Sequence, residues 1–344
     1  MYPQPKFFLL LSLLSLSLKS IECDEPVPTI DYNTALLLKV DHAGQGDFIN
    51  VQDAINAVPC NNSNLVFILI SPGQYREKVM VNRPLVILSG SGAGESVITW
   101  NDSADSSGGT FNSATLTIEA PDFVARRLTI RNTYGAGSQA VAVKVSEDRA
   151  AFYGCKFFAY QDTLLDDKGR HYYNNCYIQG ATDFICGNGL SLFENCHLHS
   201  VSMTKGAVTA QKRASEDDNT GFSFVNCVVS GIGKAILGRA WGAFSRVVYA
   251  NTYMSDAILP YGWDDWDHSS STVYYGEYQC YGPGSNLSGR VPWSYNLSTV
   301  EAAPFLTQTM IDGQDWIRAP PTNFTRPIQP YGQIEKKSCH DIFN

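Results

Sequence analysis

Short runs of apolar and β-branched residues follow one another along the first half of the chain, separated by Gly, Pro, Asn and Ser. The first six of these runs are residues 65–70, 78–81, 85–89, 97–100, 114–119 and 123–131. Runs of this length and composition predict β-strands. No periodic segment of helical length lies between them, so the pattern argues against a doubly wound α/β sheet.

Two segments predict helices at the ends of this series. Val51, Ala54, Ile55 and Val58 fall at positions i, i+3, i+4 and i+7, which is the apolar face of a short helix. A lone amphipathic helix before a series of strands is expected to cap the open end of their core. Near the other end of the chain, residues 300–310 predict a final helix.

A repeated motif divides the middle of the chain. An aromatic residue, then Asn or Gly, then Cys, then an apolar residue two positions on recur around Cys155, Cys176, Cys196 and Cys227, which are 21, 20 and 31 residues apart. A period near twenty residues, built from β-prone runs, predicts a solenoid with one coil per repeat, a parallel β-helix. Since solenoids grow along one axis, we expect a single domain, residues 36–335, followed by a tail, residues 336–344.

Two acidic residues keep a fixed spacing to this repeat. Asp162 and Asp183 each lie seven residues after a repeat cysteine. On adjacent coils they would occupy equivalent positions about 4.8 Å apart. Two carboxylates this close do not both ionise readily, which separates them into an acid and a base. Gln161 adjoins the first aspartate, and Gln139 lies about one coil earlier. The structural alternative is that stacked Asp and Asn residues only cap the turns of the solenoid.

The charge and the N-terminal residues indicate where the protein acts and which partners it can bind. The 344-residue chain carries a formal net charge of −8, which argues against nucleic acid or an anionic membrane as partner. A nearly neutral polysaccharide remains compatible with that charge. Residues 1–23 combine Lys6 with a short apolar run and predict a signal peptide rather than a membrane span. We therefore expect a secreted protein.

Secretion agrees with two further features. Five Asn-x-Ser/Thr sequons are candidate glycosylation sites, namely Asn61, Asn101, Asn286, Asn296 and Asn323. Nine cysteines permit disulfides in an oxidising compartment, although the odd count leaves one thiol unpaired unless Cys23 is removed.

Other catalytic patterns are weak or missing. His197-x-His199 lacks further metal ligands, so we predict a hydrogen-bonded surface pair, no metal and no cofactor. The sequence has neither a Gly-x-Ser-x-Gly elbow nor a His-Glu-x-x-His motif, so it predicts neither an α/β-hydrolase with a serine nucleophile nor a zincin metalloprotease.

Four motifs, in order, resemble those of plant pectin methylesterases. They are Gln139-Ala-Val-Ala, Tyr160-Gln-Asp-Thr-Leu, Asp183-Phe-Ile-Cys-Gly and Leu237-Gly-Arg-Ala-Trp241, and the likeness runs from about residue 40 to about residue 331. The resemblance implies a right-handed parallel β-helix with a capping helix, in a form without the inhibitory N-terminal pro-domain. It implies hydrolysis of the methyl esters of homogalacturonan to carboxylates and methanol in cell-wall modification. Residues 73–77 match a further motif, which we assign to structure.

The same resemblance implies roles for the matching residues. Asp183 would be the nucleophile, kept ionised by Arg239, and Asp162 the general acid and then the base. The amides of Gln139 and Gln161 would bind the oxyanion. The expected substrate-binding residues are Gln139, Arg239, Trp241 and Trp263, with the tryptophans as platforms for sugar faces.

Two residues depart from the family pattern. Cys186 stands where the family commonly has an aromatic residue, and Leu165 where it has Tyr, so restoring an aromatic residue at either position is expected to strengthen pectin binding. The resemblance also implies a disulfide between Cys176 and Cys196. The partners expected for the protein are methyl-esterified homogalacturonan and a proteinaceous pectinesterase inhibitor. The protein itself is expected to be a monomer.

Two other functions stay open on sequence alone. One is a different β-helix enzyme, a polygalacturonase or a lyase. Paired carboxylates also suit a glycosidase, whereas a lyase needs a Ca²⁺-binding acid cluster that the sequence does not show. The other is a catalytically silent solenoid that binds the wall.

Overall fold

A computed structural model describes residues 30–326. The predicted signal peptide, residues 1–23, and the predicted tail, residues 336–344, lie outside the described residues, as does the predicted domain end at residue 335. Within the described range the strands form three sheets, one of 12 strands and two of 8, and every pairing is parallel. We call them sheets I, II and III.

The strands of each sheet are as follows. Sheet I contains β1 (Thr34–Val40), β2 (Val66–Ile70), β5 (Val86–Gly90), β8 (Phe123–Arg126), β11 (Ala150–Tyr153), β14 (Arg170–Asn174), β17 (Leu190–Glu194), β20 (Gly221–Val225), β23 (Arg246–Ala250), β26 (Tyr274–Tyr278), β27 (Tyr295–Asn296) and β28 (Asn323–Thr325). Sheet II contains β3 (Gly73–Arg76), β6 (Ser96–Trp100), β9 (Thr129–Asn132), β12 (Lys156–Phe158), β15 (Tyr177–Gly180), β18 (His197–Ser200), β21 (Val228–Gly231) and β24 (Tyr253–Met254). Sheet III contains β4 (Val79–Val81), β7 (Leu116–Ile118), β10 (Val143–Val145), β13 (Leu164–Asp166), β16 (Ile185–Gly187), β19 (Lys205–Gln211), β22 (Lys234–Ala240) and β25 (Trp263–Asp264).

From β2 to β25 the chain visits sheets I, II and III in turn, one strand of each per coil. Each strand pairs with its equivalents in the neighbouring coils, as β13 does with β10 and β16. This is the predicted parallel β-helix, which is confirmed. The aromatic residues of the four sequence repeats point into it: Phe152, Tyr173, Phe193 and Phe224 stack in register, and Tyr249 of the next coil continues the stack, with successive ring centroids 5.0, 4.4, 4.6 and 4.5 Å apart.

The repeat cysteines form a second interior column. The residue before each of the four is left-handed, with φ between 54° and 58°, which explains the Gly or Asn at that place. Cys176 and Cys196 are both free thiols, so the predicted disulfide is wrong. Side chains at equivalent positions of parallel coils point in the same direction, whereas a disulfide needs converging Cβ atoms. Each thiol instead contacts carbonyl oxygens, Cys176 Sγ that of Phe152 at 3.5 Å and Cys196 Sγ that of Tyr173 at 3.4 Å.

The capping helix forms as predicted. Helix α1 (Val51–Asn56) buries Val51, Ala54 and Ile55, and Val58, the fourth residue of the predicted face, is buried just after the helix ends; all four are at most 1 % exposed. The carboxylate of Glu77 accepts the first two N–H groups of this helix, those of Val51 and Gln52, each at 2.9 Å. Anions at a helix N-terminus satisfy its free donors, so Glu77, the last residue of the motif 73–77, has a structural role, and residues 73–76 form β3.

Two predicted elements differ from the structure. The run 123–131 is two strands on different sheets, β8 and β9, because Arg127 takes a left-handed φ of 53° and turns the chain between them. The predicted final helix, residues 300–310, is broken into α3 (Thr299–Ala302) and two 3₁₀ turns, and α4 (Gly313–Trp316) follows. Pro304, which has no N–H to donate, lies just after α3 and ends it. The remaining helix, α2 (Ala104–Ser107), begins at a capping box made by Ser103 and Ser106.

Candidate active site

Asp162 and Asp183 occupy equivalent places on adjacent coils. Both residues lie in the turns that lead into sheet III, two residues before β13 and β16, with left-handed φ values of 59° and 49°. The residues before them, Gln161 and Thr182, form a parallel bridge, and the Asp162 N–H donates to the Thr182 carbonyl oxygen at 3.2 Å. The equivalence predicted from the spacing to the repeat cysteines is confirmed.

The two carboxyl groups differ in their surroundings. Burial, and then the charge of Asp183, raise the pKa of Asp162 to about 7. Burial also raises the pKa of Asp183, whose side chain is 8 % exposed, but hydrogen bonds and charge from Arg239 oppose that rise. The pair therefore separates into one carboxyl whose pKa lies near neutrality and one that an arginine favours as the anion.

Arg239 reaches Asp183 across an intervening strand. Its Nε donates to Asp183 Oδ1 at 2.7 Å and its Nη2 donates to Asp183 Oδ2, so the contact is bidentate. Arg239 is on β22, Asp183 precedes β16, and β19 lies between them. The β19 residue in register with Arg239 is Ala210, whose methyl group leaves room for the guanidinium to cross. The predicted contact between Arg239 and Asp183 is confirmed.

Gln139 and Gln161 stack beside the aspartates. The Ala140 N–H donates to the Gln161 carbonyl oxygen at 3.1 Å, which places Gln139 one coil before Gln161, as predicted. Within residues 30–326 neither side-chain amide has a hydrogen-bond partner, and neither residue is fully buried. Both amides are therefore free to donate to a ligand.

The aromatic residues of the cleft differ in part from the prediction. Trp241 is exposed, 36 %, with Lys212 Nζ lying 4.5 Å from its ring centroid. Trp263, the other predicted platform, is 1 % exposed and stacks on Tyr275 inside the coil, so that prediction is wrong. Three residues on, Trp266 is 40 % exposed and its ring centroid is 4.0 Å from Cζ of Arg239. Sequence reasoning missed Trp266.

Leu165 and Cys186 form the floor beneath the carboxyl groups. They are in register on β13 and β16 and only 1 % exposed, packed with Ala114, Val141 and Ala210. Burial, together with the charges of Asp162 and Asp183, raises the pKa of the Cys186 thiol. Neither side chain presents a surface to a sugar, so the expectation that aromatic residues here would stack on pectin does not hold. Cys186 is a free, buried thiol.

The remaining candidates lie elsewhere. His197 Nε2 and His199 Nδ1 each lie 2.7 Å from Ser230 Oγ, the hydrogen-bonded pair that was expected. In the described part of the chain no three His, Cys, Asp or Glu side chains are grouped to hold a metal ion, and no helix is long and apolar enough to cross a membrane. All five sequon asparagines are exposed.

Comparison with known proteins identifies the family of the chain. The family model described as pectinesterase matches residues 38–314, most of the chain. The chain is 45 % identical to pectinesterase QRT1 of Arabidopsis thaliana over 83 % of this chain and 80 % of that protein. The chain belongs to the pectinesterase family. Membership makes it a carboxylic ester hydrolase.

Solved structures of the pectinesterase family share the fold. Pectin methylesterase from carrot is 35 % identical, with a TM-score of 0.78 over 81 % of this chain and 94 % of that one. A pectin methylesterase in complex with a hexasaccharide is 29 % identical, with a TM-score of 0.72 over 85 % of this chain and 99 % of that one.

Proposed function

We propose that this pectinesterase hydrolyses the methyl esters of homogalacturonan to free carboxylates and methanol, with Asp183 as nucleophile and Asp162 as general acid and base. The observation that carries the proposal is the asymmetry of the pair: two adjacent, largely buried carboxyl groups, of which only Asp183 is held by Arg239. Structural aspartates that merely cap turns do not require a bidentate arginine on one partner alone. Family membership supports the ester substrate.

In the first step the Asp183 carboxylate attacks the ester carbonyl carbon. Negative charge develops on the carbonyl oxygen, where the free amides of Gln139 and Gln161 can donate. As the intermediate collapses, the bond to the methoxy group breaks and Asp162 transfers its proton to the leaving oxygen. With a pKa of about 7, Asp162 carries that proton below neutral pH and still carries it in a substantial fraction of molecules at neutral pH. Methanol leaves, and the galacturonyl group remains bonded to Asp183 as an acyl-enzyme.

In the second step Asp162, now ionised, takes a proton from water, and the resulting hydroxide attacks the acyl carbon. The bond to Asp183 breaks, the product is a galacturonate carboxylic acid that ionises in water, and both aspartates return to their starting states. Arg239 stabilises Asp183 as leaving group because it pairs with the carboxylate that is regenerated.

The surroundings of the pair suit a polymer. Trp241 and Trp266 offer exposed rings on the face of sheet III that carries Arg239, and aromatic faces stack on sugar rings. We further propose that the chain is secreted, glycosylated at exposed sequons, and acts on the cell wall as a monomer that a proteinaceous inhibitor can bind. The complex of a related enzyme with a hexasaccharide supports an extended saccharide as ligand.

The test is to incubate the purified chain with highly methyl-esterified homogalacturonan and measure methanol and new chain ends together. We expect methanol release with unchanged polymer length. Polymer shortening would indicate a polygalacturonase or a lyase instead, and binding without either product would indicate a silent wall-binding solenoid.

A further inference from the structure

Arg239 is fixed from two sides. On one side it makes the bidentate contact with Asp183, and on the other its guanidinium lies 4.0 Å from the ring centroid of Trp266. A guanidinium stacked on an indole gains cation–π attraction and loses freedom to rotate. The β19 residue in register with Arg239 is the small Ala210, so the Trp266 ring is the large side chain in contact with the guanidinium on the side away from Asp183.

Trp266 is itself held in an uncommon backbone conformation. Trp266 and Asp267 have left-handed φ values of 52° and 62°, in two consecutive non-glycine residues. Such conformations cost free energy for L-residues and persist only where surrounding contacts enforce them. The side chain of Asp264 supplies one such contact, because its Oδ1 accepts the Trp266 N–H at 2.8 Å. Asp264 is at the end of β25, in register with Arg239.

We propose that Asp264 is a positioning residue of this active site: it holds the turn that presses Trp266 onto Arg239, and so keeps Arg239 on Asp183. The proposal rests on the proposed function, since it concerns the nucleophile of that reaction. Asp264 need not touch the substrate. Its effect reaches the reaction through the ring of Trp266 and the guanidinium of Arg239.

Asp264 could also act on Arg239 directly, through its charge. The two residues are neighbours on β22 and β25, and the charge of Asp264 helps to raise the pKa of Arg239. Two substitutions separate the mechanisms. Asp264→Asn removes the charge but keeps an oxygen that can accept the Trp266 N–H, as Asn does in turns. Asp264→Ala removes both. Asp265→Ala is the matched control, because it deletes the adjacent acid, whose side chain makes no hydrogen bond within the described residues.

The first readout is the pH dependence of kcat/KM for methanol release. When the hydrogen bond from Asp264 to Trp266 is lost, Trp266 no longer holds Arg239 against Asp183. The pKa of Asp183 then rises, and the acidic limb of the pH profile moves to higher pH. From the usual strength of a cation–π contact we expect Asp264→Ala to shift that limb by about half to one pH unit and to lower kcat more than it raises KM. Asp264→Asn should retain most of the wild-type profile, and Asp265→Ala all of it.

The second readout does not depend on activity. The pKa of Asp183 is followed by ¹³C NMR of the carboxyl carbon in protein without substrate, with Asp183→Asn to assign the signal. Besides Arg239, the titratable groups that act on Asp183 are Asp162, Cys186 and Tyr275, and none of them is altered. We expect a higher pKa of Asp183 in Asp264→Ala than in wild type. If the wild type releases no methanol, the proposed function fails, while this comparison still decides the positioning role.

Three results would overturn the proposal. The first is an Asp264→Ala protein with a wild-type acidic limb and an unchanged Asp183 pKa. The second is an equal shift in Asp264→Asn, which would assign the effect to charge. The third is higher activity in both variants, which would make Asp264 a competitor of Asp183 for Arg239.

Discussion

The buried pair of Asp166, at the end of β13, and His171, on β14, gives the sharpest stability prediction. Both side chains are 0 % exposed. His171 Nδ1 bonds to Asp166 Oδ1 and Nε2 lies 2.9 Å from the Glu147 carbonyl oxygen, so both ring nitrogens face acceptors and both carry protons. Asp166 Oδ1 also accepts from the Tyr173 hydroxyl at 3.1 Å. The imidazolium of His171 is therefore the main group that offsets the desolvation cost of the buried Asp166 carboxylate.

His171→Leu removes both donors while keeping an apolar side chain of similar size. Among residues 30–326 it leaves the Asp166 carboxylate with the Tyr173 hydroxyl as its side-chain donor, and breaking a buried ion pair in this way costs about 3–5 kcal/mol of unfolding free energy. Tyr173→Phe is the comparison, because it removes a neutral donor from the same carboxylate and should cost about 1–3 kcal/mol. Urea unfolding followed by circular dichroism measures both.

The pH dependence gives the same prediction a sign. Burial alone lowers the pKa of His171, but the charge of Asp166 and the two hydrogen bonds outweigh it and raise the pKa. A raised folded pKa means that the stabilisation is fully present below the unfolded value of about 6.5 and is lost as the pH rises through the folded value. The gap in stability between wild type and His171→Leu should therefore narrow at alkaline pH. A loss under about 1 kcal/mol, or a gap that widens with pH, would refute the ion-pair assignment.

Three further predictions concern the cleft. Asp162→Asn keeps the shape of the side chain but cannot release a proton, so kcat should fall by about 10²–10⁴-fold in a methanol-release assay; a loss under tenfold would exclude Asp162 as the acid. Because burial and the charge of Asp183 raise the pKa of Asp162 to about 7, wild-type kcat/KM should decline on the alkaline side with a midpoint near that value; a flat profile through that range would contradict the assignment. Leu165→Tyr places a larger side chain in a closely packed, buried cluster, and overpacking of this kind typically lowers the unfolding free energy by about 1–3 kcal/mol. We therefore expect a lower melting temperature without a lower KM.

The sequence predicted the parts of this structure that repeat. Stacked coils place equivalent residues one above another, so the spacing of Asp162 and Asp183 from the repeat cysteines was enough to bring them together. The family motif supplied Arg239, whose partner lies two strands away. Gly187, from the same motif as Asp183, also has a structural reason: its φ is 123°, and a Cβ there would lie 2.1 Å from the Asp166 carbonyl oxygen.

What the sequence did not predict depends on where each side chain points. Trp263 and Trp266 are three residues apart in one aromatic stretch, and a strand as short as β25 gives no alternation from which to tell the inward ring from the outward one. The disulfide failed for a related reason, since equal spacing places Cys176 and Cys196 side by side but cannot show that their Cβ atoms fail to converge. The helix at residues 300–310 had the right composition, but Pro304 interrupts it.

The most direct test of the account is methanol release by Asp183→Ala on methyl-esterified homogalacturonan, with circular dichroism to show that the variant is folded and a binding assay to show that it still takes up the polymer. Without the carboxylate there is no covalent route, so we predict binding with no methanol above the uncatalysed background. A folded Asp183→Ala protein that releases methanol at the wild-type rate would contradict the assignment of Asp183 as the nucleophile.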